Sequence, residues 1–237
     1  MKLNKQRMIA LNKENAFVKL LVILYFVIAT IEVAAELVSC KPMLFILKPL
    51  VLIILMLLYR FSSTQRDLLF FVAILFLLIT KMYAIQNSEE MLFLGIIAFF
   101  VHRVVMIYYI FKLIKLKDYI PSLIAMIPFL FFFFYLLSRT SNITPRNYYG
   151  LIFQSVLMSV LASMTVSHYV MNNERKDVWL LIFGLLSVTQ YFMVFIDKFY
   201  LLGLSPFIFR PLEVILTTSV CFTFYKFVIT TEASNND

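Results

Sequence analysis

The sequence predicts an all-α, polytopic membrane bundle of eight transmembrane helices, with both termini cytoplasmic. Three observations carry this. The mean hydropathy is +0.92. The chain of 237 residues is 62% hydrophobic with 26 Phe and only 14% charged residues, a composition no soluble domain of this size shows. Apolar stretches of about 18 to 25 residues, each long enough to cross roughly 30 Å of hydrocarbon, recur between short polar breaks. A β-barrel is excluded by unbroken apolar runs such as Phe99-Phe100-Val101 and Phe131-Phe132-Phe133-Phe134, where period-2 alternation would be required.

The elements follow in order. Residues 1–16 form a basic, polar cytoplasmic segment, and residues 17–230 the membrane domain. The first apolar segment, 17–38, is too long for a signal peptide and lacks a small-residue cleavage site, so it is expected to remain as a helix carrying Glu32 and Glu36 on one face. Helix 2 spans 42–59 with Lys48 and Pro49, and helix 3 spans 68–86 with Lys81. Helix 4 spans 91–113 with His102 and Arg103, and helix 5 spans 119–137 with Pro121 and Pro128. Helix 6 spans 148–171, with Tyr148 and Tyr149 as interfacial anchors and Gln154 inside. Helix 7 spans 178–200, starting at the anchor Trp179 and carrying Thr189, Gln190 and Asp197. Helix 8 spans 206–230 with Arg210, Pro211 and Glu213, and 231–237 is a cytoplasmic tail. The four internal prolines, Pro49, Pro121, Pro128 and Pro211, are expected to kink their helices.

Orientation follows from Lys and Arg. With the N-terminus inside, Lys2, Lys5, Arg7, Lys13, Lys19, Arg60, Arg66, Lys112, Lys115, Lys117, Arg175, Lys176 and Lys226 lie on the inner side. Only Lys41, Arg139, Arg146 and Lys198 lie outside. The net charge of +8 then reflects loops resting on anionic lipid and requires no nucleic-acid partner. The chain is read as a multi-pass protein of the bacterial inner membrane, with membrane lipids as partners and no inferable soluble protein partner.

The remaining cations, Lys48, Lys81, Arg103 and Arg210, sit inside apolar runs, where a charge needs a reason. Most intramembrane polar groups fall in the outer half: Glu32, Glu36, Lys48, Lys81, Gln154, Asp197, Arg210 and Glu213. His102, Arg103, Thr189 and Gln190 lie nearer the midplane. An outward-opening polar pocket is predicted. Structural ion pairing explains part of the set, with Glu32 or Glu36 on Lys48 and Arg210 on Glu213. Three glutamates against four cations leave one positive charge, which suits a phosphate held by Arg103 and Arg210 in bidentate fashion with Lys48 and Lys81 as point charges.

Other chemistries fit worse. His102 and His168 lie at different depths, unlike a haem pair, and Lys226 is too close to the cytoplasmic end for a retinal Schiff base. Four glycines and the lack of any Walker, Rossmann or zinc motif exclude nucleotide loops, so no cofactor and no metal are expected. Cys40 and Cys221 are read as packing residues.

Leu47-Lys48-Pro49-Leu50 in helix 2, an apolar helix 3, and Gly95 followed by Ala98-Phe99-Phe100-Val101-His102 in helix 4 resemble the YhhN-like family that contains the lysoplasmalogenases. The resemblance covers most of the chain and is strongest over 41–113. It implies an eight-helix hydrolase that cleaves the vinyl ether of a lysoplasmalogen into a fatty aldehyde and a glycerophospho-base. The family pattern has a Gly-Asp in helix 3 and a Ser-Asp in helix 7. Here Thr80-Lys81 and Thr189-Gln190 stand there, and Val105 replaces a Tyr. Vinyl-ether cleavage needs a carboxylic acid to protonate carbon, so Glu213, with Glu32 and Glu36 beside it, is the candidate for a relocated acid. His102, Gln154, Thr189 and Gln190 are the candidate polar lining. The alternative is a relative that has lost catalysis and binds or moves a lipid or small anion, and the sequence leaves the two open.

Overall fold

In the computed structural model the described residues are 2–86, 88–114, 119–139, 145–171, 178–197 and 208–236, with side chains described except at 2–15, 89, 145–146 and 235–236. Eight helices follow one another: α1 Lys2–Leu37, α2 Lys41–Ser62, α3 Leu68–Gln86, α4 Glu89–Ile114, α5 Ile120–Ser138, α6 Pro145–Met171, α7 Val178–Phe195 and α8 Phe209–Asn236. Each contains a stretch long and apolar enough to cross a membrane. Among the described residues there is no strand. The chain is therefore an integral multi-pass membrane protein by helix length and composition. Of the basic loop residues, Lys115, Lys117, Arg175, Lys176 and Lys198 lie outside the described residues.

Two helices run further than their apolar segments. Helix α1 begins at Lys2, because the polar stretch before Ala16 holds no Gly or Pro to stop it. Helix α8 continues to Asn236 through the stretch read as a tail. Two of the four prolines start helices rather than kink them. Pro121 lies in the first turn of α5 and Pro211 in the first turn of α8, where a backbone N–H has no intrahelical partner anyway. Pro49 and Pro128 are truly internal to α2 and α5.

The α1–α2 connection is tight. Ser39 N–H bonds Glu36 O at 3.0 Å and Cys40 N–H bonds Ala35 O at 3.1 Å, the paired closure of a Schellman cap. This places Ser39 at φ 54°, a left-handed position usually given to Gly.

The helices close into a ring in the order α1, α2, α3, α4, α6, α7, α8, with α8 returning to α1 and α5 packed outside on α6. Helix α8 also touches α2 and α4, which makes it the most central element. An aromatic stack ties the middle together: Tyr59 lies 3.9 Å from Phe70, Phe70 5.6 Å from Phe224, and Phe224 5.2 Å from Phe183. Helix α6 uses small buried residues, Ser155, Ser159, Ser163 and Ser167, to let its neighbours approach. The approach is close at Gly184 of α7, where a Cβ would meet the Thr165 side chain.

The outer surface is apolar. Phe131 of α5 is 76% exposed and Ile23 of α1 61%, as expected where lipid rather than water is the neighbour. Both chain termini lie at one end of the bundle. Phe17 packs on Phe61 at 5.0 Å, and Glu232 of α8 reaches Tyr59 on the same turn of α2. The α1–α2 connection, the end of α3 and the start of α8 meet at the other end.

Candidate functional site

At the α1–α2 end, a cavity of about 200 Å³ opens between the end of α1, the start of α2, the end of α3 and the start of α8. Its charged lining is Glu32, Glu36, Lys41, Lys48, Lys81, Arg210 and Glu213. Of the four intramembrane cations, the structure brings Lys48, Lys81 and Arg210 to this wall. Arg103 is elsewhere, and Lys41, assigned by sequence to the outer loop, takes its place. The balance is again three carboxylates against four cations.

Two ion pairs organise the cavity. Lys48 Nζ lies 2.7 Å from Glu36 Oε1, and Lys81 Nζ lies 3.4 Å from Glu32 Oε1. Glu32 is fully buried and its Oε2 has no hydrogen-bond partner among the described residues, so its charge depends on Lys81. Arg210 is exposed and Glu213 is half-buried on the same wall.

A second cavity, about 130 Å³, lies between α3, α4, α6, α7 and α8. It is lined mainly by apolar side chains, including Leu77, Ile96, Phe99, Leu151, Val194 and Phe195. It shares Lys81, Ala84, Glu213 and Thr217 with the polar cavity. A charged chamber and a greasy chamber therefore adjoin at four common residues. Gln154 lines the apolar chamber and donates from Nε2 to Ile96 O at 3.1 Å, while its Oε1 has no partner among the described residues. Gln190 donates to Thr217 Oγ1 at 2.8 Å, and Thr217 donates to Glu213 O at 2.7 Å.

Thr189 does not join this lining. It is exposed, and its hydroxyl bonds Leu185 O one turn back at 2.9 Å. His102 and Arg103 are buried beside a third, much smaller cavity of about 10 Å³. His102 Nδ1 lies 2.7 Å from Ala73 O, and because a carbonyl only accepts, Nδ1 is the donor. Arg103 is 1% exposed, and Nε, Nη1 and Nη2 have no hydrogen-bond partner among the described residues. Its guanidinium stands 4.7 Å from the centre of the Phe99 ring. Such a contact contributes about 2 kcal/mol, below the several kcal/mol that burying an ion costs. Asp197 is buried at the end of α7 and does not line these cavities.

A second polar centre was not read from the sequence. At the termini end, Glu232 is 1% exposed and accepts hydrogen bonds from Tyr59 at 2.7 Å, Ser63 at 2.6 Å and Tyr109 at 3.2 Å. Ser63 Oγ also accepts from Arg66 N–H, Tyr59 OH accepts from Asp67 N–H, and Asp67 pairs with Lys112 at 2.6 Å. The signal was present: Cys221, Tyr225, Val228 and Glu232 recur at helical spacing and are all buried.

Among the described residues no three His, Cys, Asp or Glu side chains come together as a metal-ligand set. No protein-family model, curated protein or solved structure matches this chain.

Proposed function

We propose that this chain takes a single-chain ether phospholipid from the membrane and hydrolyses its vinyl ether, in the manner of the lysoplasmalogenases its helix 2 and helix 4 motifs resemble. The observation that carries this reading is the junction of a charged cavity and an apolar cavity at Lys81, Ala84, Glu213 and Thr217. An amphiphile with one chain has the matching division. Its phosphate suits Lys41, Lys48 and Arg210, its hydrocarbon suits the apolar chamber, and its ether linkage falls at the junction.

The reaction assigns roles to the carboxylates there. Glu213, as the acid, protonates the vinyl carbon remote from oxygen. The negative charges of Glu32 and Glu36 steady the resulting oxocarbenium ion. Water adds to the oxygen-bearing carbon of that ion and returns a proton to Glu213, and the hemiacetal collapses to a fatty aldehyde and a glycerophospho-base. The excess of Lys and Arg at the termini end supports a reading in which both termini are cytoplasmic and the substrate cavity lies in the outer half, the membrane being a bacterial inner membrane.

A second reading, a lipid- or anion-binding relative without catalysis, is favoured by one observation. Lys81 stands where the family pattern has an acid, and it is ion-paired to Glu32 rather than free. The deciding experiment is fatty-aldehyde release from lysoplasmenyl-ethanolamine by the detergent-purified chain. Aldehyde from the wild type that is lost in Glu213→Gln supports hydrolysis at this junction. Saturable lipid binding with no aldehyde overturns hydrolysis in favour of the second reading, and aldehyde undiminished in Glu213→Gln removes Glu213 as the acid.

A further inference from the structure

Arg103 makes a demand that the head-group cavity does not meet. A guanidinium carries five N–H donors and no acceptor, and it stays charged in proteins. Here it is buried on α4 with every nitrogen unbonded among the described residues, and the Phe99 face engages only its positive charge. The ion pairs of the intramembrane lysines go to Glu32 and Glu36, not to Arg103. A charge so placed calls for an anion.

The space beside it defines which anion. The adjoining cavity of about 10 Å³ has room for roughly one water-sized particle. A phosphate or a carboxylate, with several heavy atoms, does not fit. The polar lining near Arg103 is Gln190, Thr217, His102 and the thiol of Cys221, with no carboxylate to repel a negative ion. Met106 and Cys221 add soft, adaptable walls that accommodate a particle slightly larger than water. We propose that Arg103 and this cavity hold one small monovalent anion of halide size, a site separate from the phospholipid cavity. Gln190, Thr217, Leu77 and Phe99 also line the apolar chamber, so the anion lies behind that chamber's wall and neutralises a buried charge there.

The test uses the full chain in detergent, exchanged into gluconate and titrated with chloride. Excess broadening of the chloride NMR line that bromide displaces, that persists in Lys48→Met and that disappears in Arg103→Met is the expected result, with a thermal midpoint raised saturably by chloride in the wild type and Lys48→Met but not in Arg103→Met. No excess broadening, with the same midpoint in gluconate and chloride, means water alone occupies the cavity and overturns the proposal. Broadening unchanged in Arg103→Met overturns it too. Should Arg103→Met not fold, bromide-soaked crystals of the wild type decide: an anomalous peak beside the guanidinium supports the site, and a map without one refutes it. Aldehyde release has no part in these readouts, so this proposal and the hydrolase reading fail separately.

Discussion

Lys81 of α3 and Glu32 of α1 face each other at 3.4 Å, with the carboxylate fully buried and the ammonium at the meeting point of the charged and apolar cavities. The pair joins two helices that are not neighbours in the ring and fixes the wall between the chambers. Removing one partner strands the other. Lys81→Met is expected to cost about 3–5 kcal/mol, and Glu32→Gln in the same chain to recover most of it. Thermal melts of the single and double variants check this.

The cap between α1 and α2 gives the opposite sign. Ser39 holds φ 54° in a Schellman closure, where a Cβ is unfavourable. Ser39→Gly is expected to stabilise by about 0.5–1 kcal/mol, since the strain relieved exceeds the added freedom of the unfolded chain. A lower melting midpoint would mean that the serine side chain itself holds the turn.

The α6–α7 contact has no room to give. At Gly184 a new Cβ would collide with Thr165 Oγ1 and stand 2.6 Å from Thr165 Cβ. Gly184→Ala is therefore expected to destabilise by about 1–3 kcal/mol. Thr165→Ala added to it relieves only part of this, because the Thr165 Cβ contact remains. Melting midpoints of the three chains measure the difference.

The C-terminal stretch should behave as part of the bundle up to Glu232. Ending the chain after Glu232 is expected to leave stability nearly unchanged. Ending it after Thr231 leaves Tyr59, Ser63 and Tyr109 without their shared acceptor and is expected to cost about 2–4 kcal/mol. Urea or thermal unfolding of the two truncations separates them.

What was legible follows from cost. Eight long apolar runs admit only helices, and charges at matching depth in them must meet, which is why Glu36 and Lys48 were foreseeable neighbours. Depth does not give rotation about the helix axis, so the sequence assigns Arg103, nearer the midplane, to the same phosphate as Lys48, Lys81 and Arg210, although its helix turns it toward a different cavity. Thr189 was read as interior because it is polar, but a hydroxyl can satisfy itself on the carbonyl one turn back and face outward at little cost. Glu232 was missed because charge marks a tail only where no buried stripe continues through it, and here Tyr225 and Val228 lead into it. The Arg210–Glu213 spacing is consistent with both residues lining one cavity.

Whether the two adjoining cavities receive one single-chain phospholipid is read by counting lysophosphatidylethanolamine retained per chain in native mass spectrometry. Ala84 is exposed and belongs to both cavities, so Ala84→Trp blocks the junction without disturbing the core. Leu24→Trp, on the exposed face of α1, is the control. One lipid is expected to be retained by the wild type and by Leu24→Trp, with affinity lowered about tenfold or more, about 1.4 kcal/mol, in Ala84→Trp. Equal retention by all three chains would contradict it.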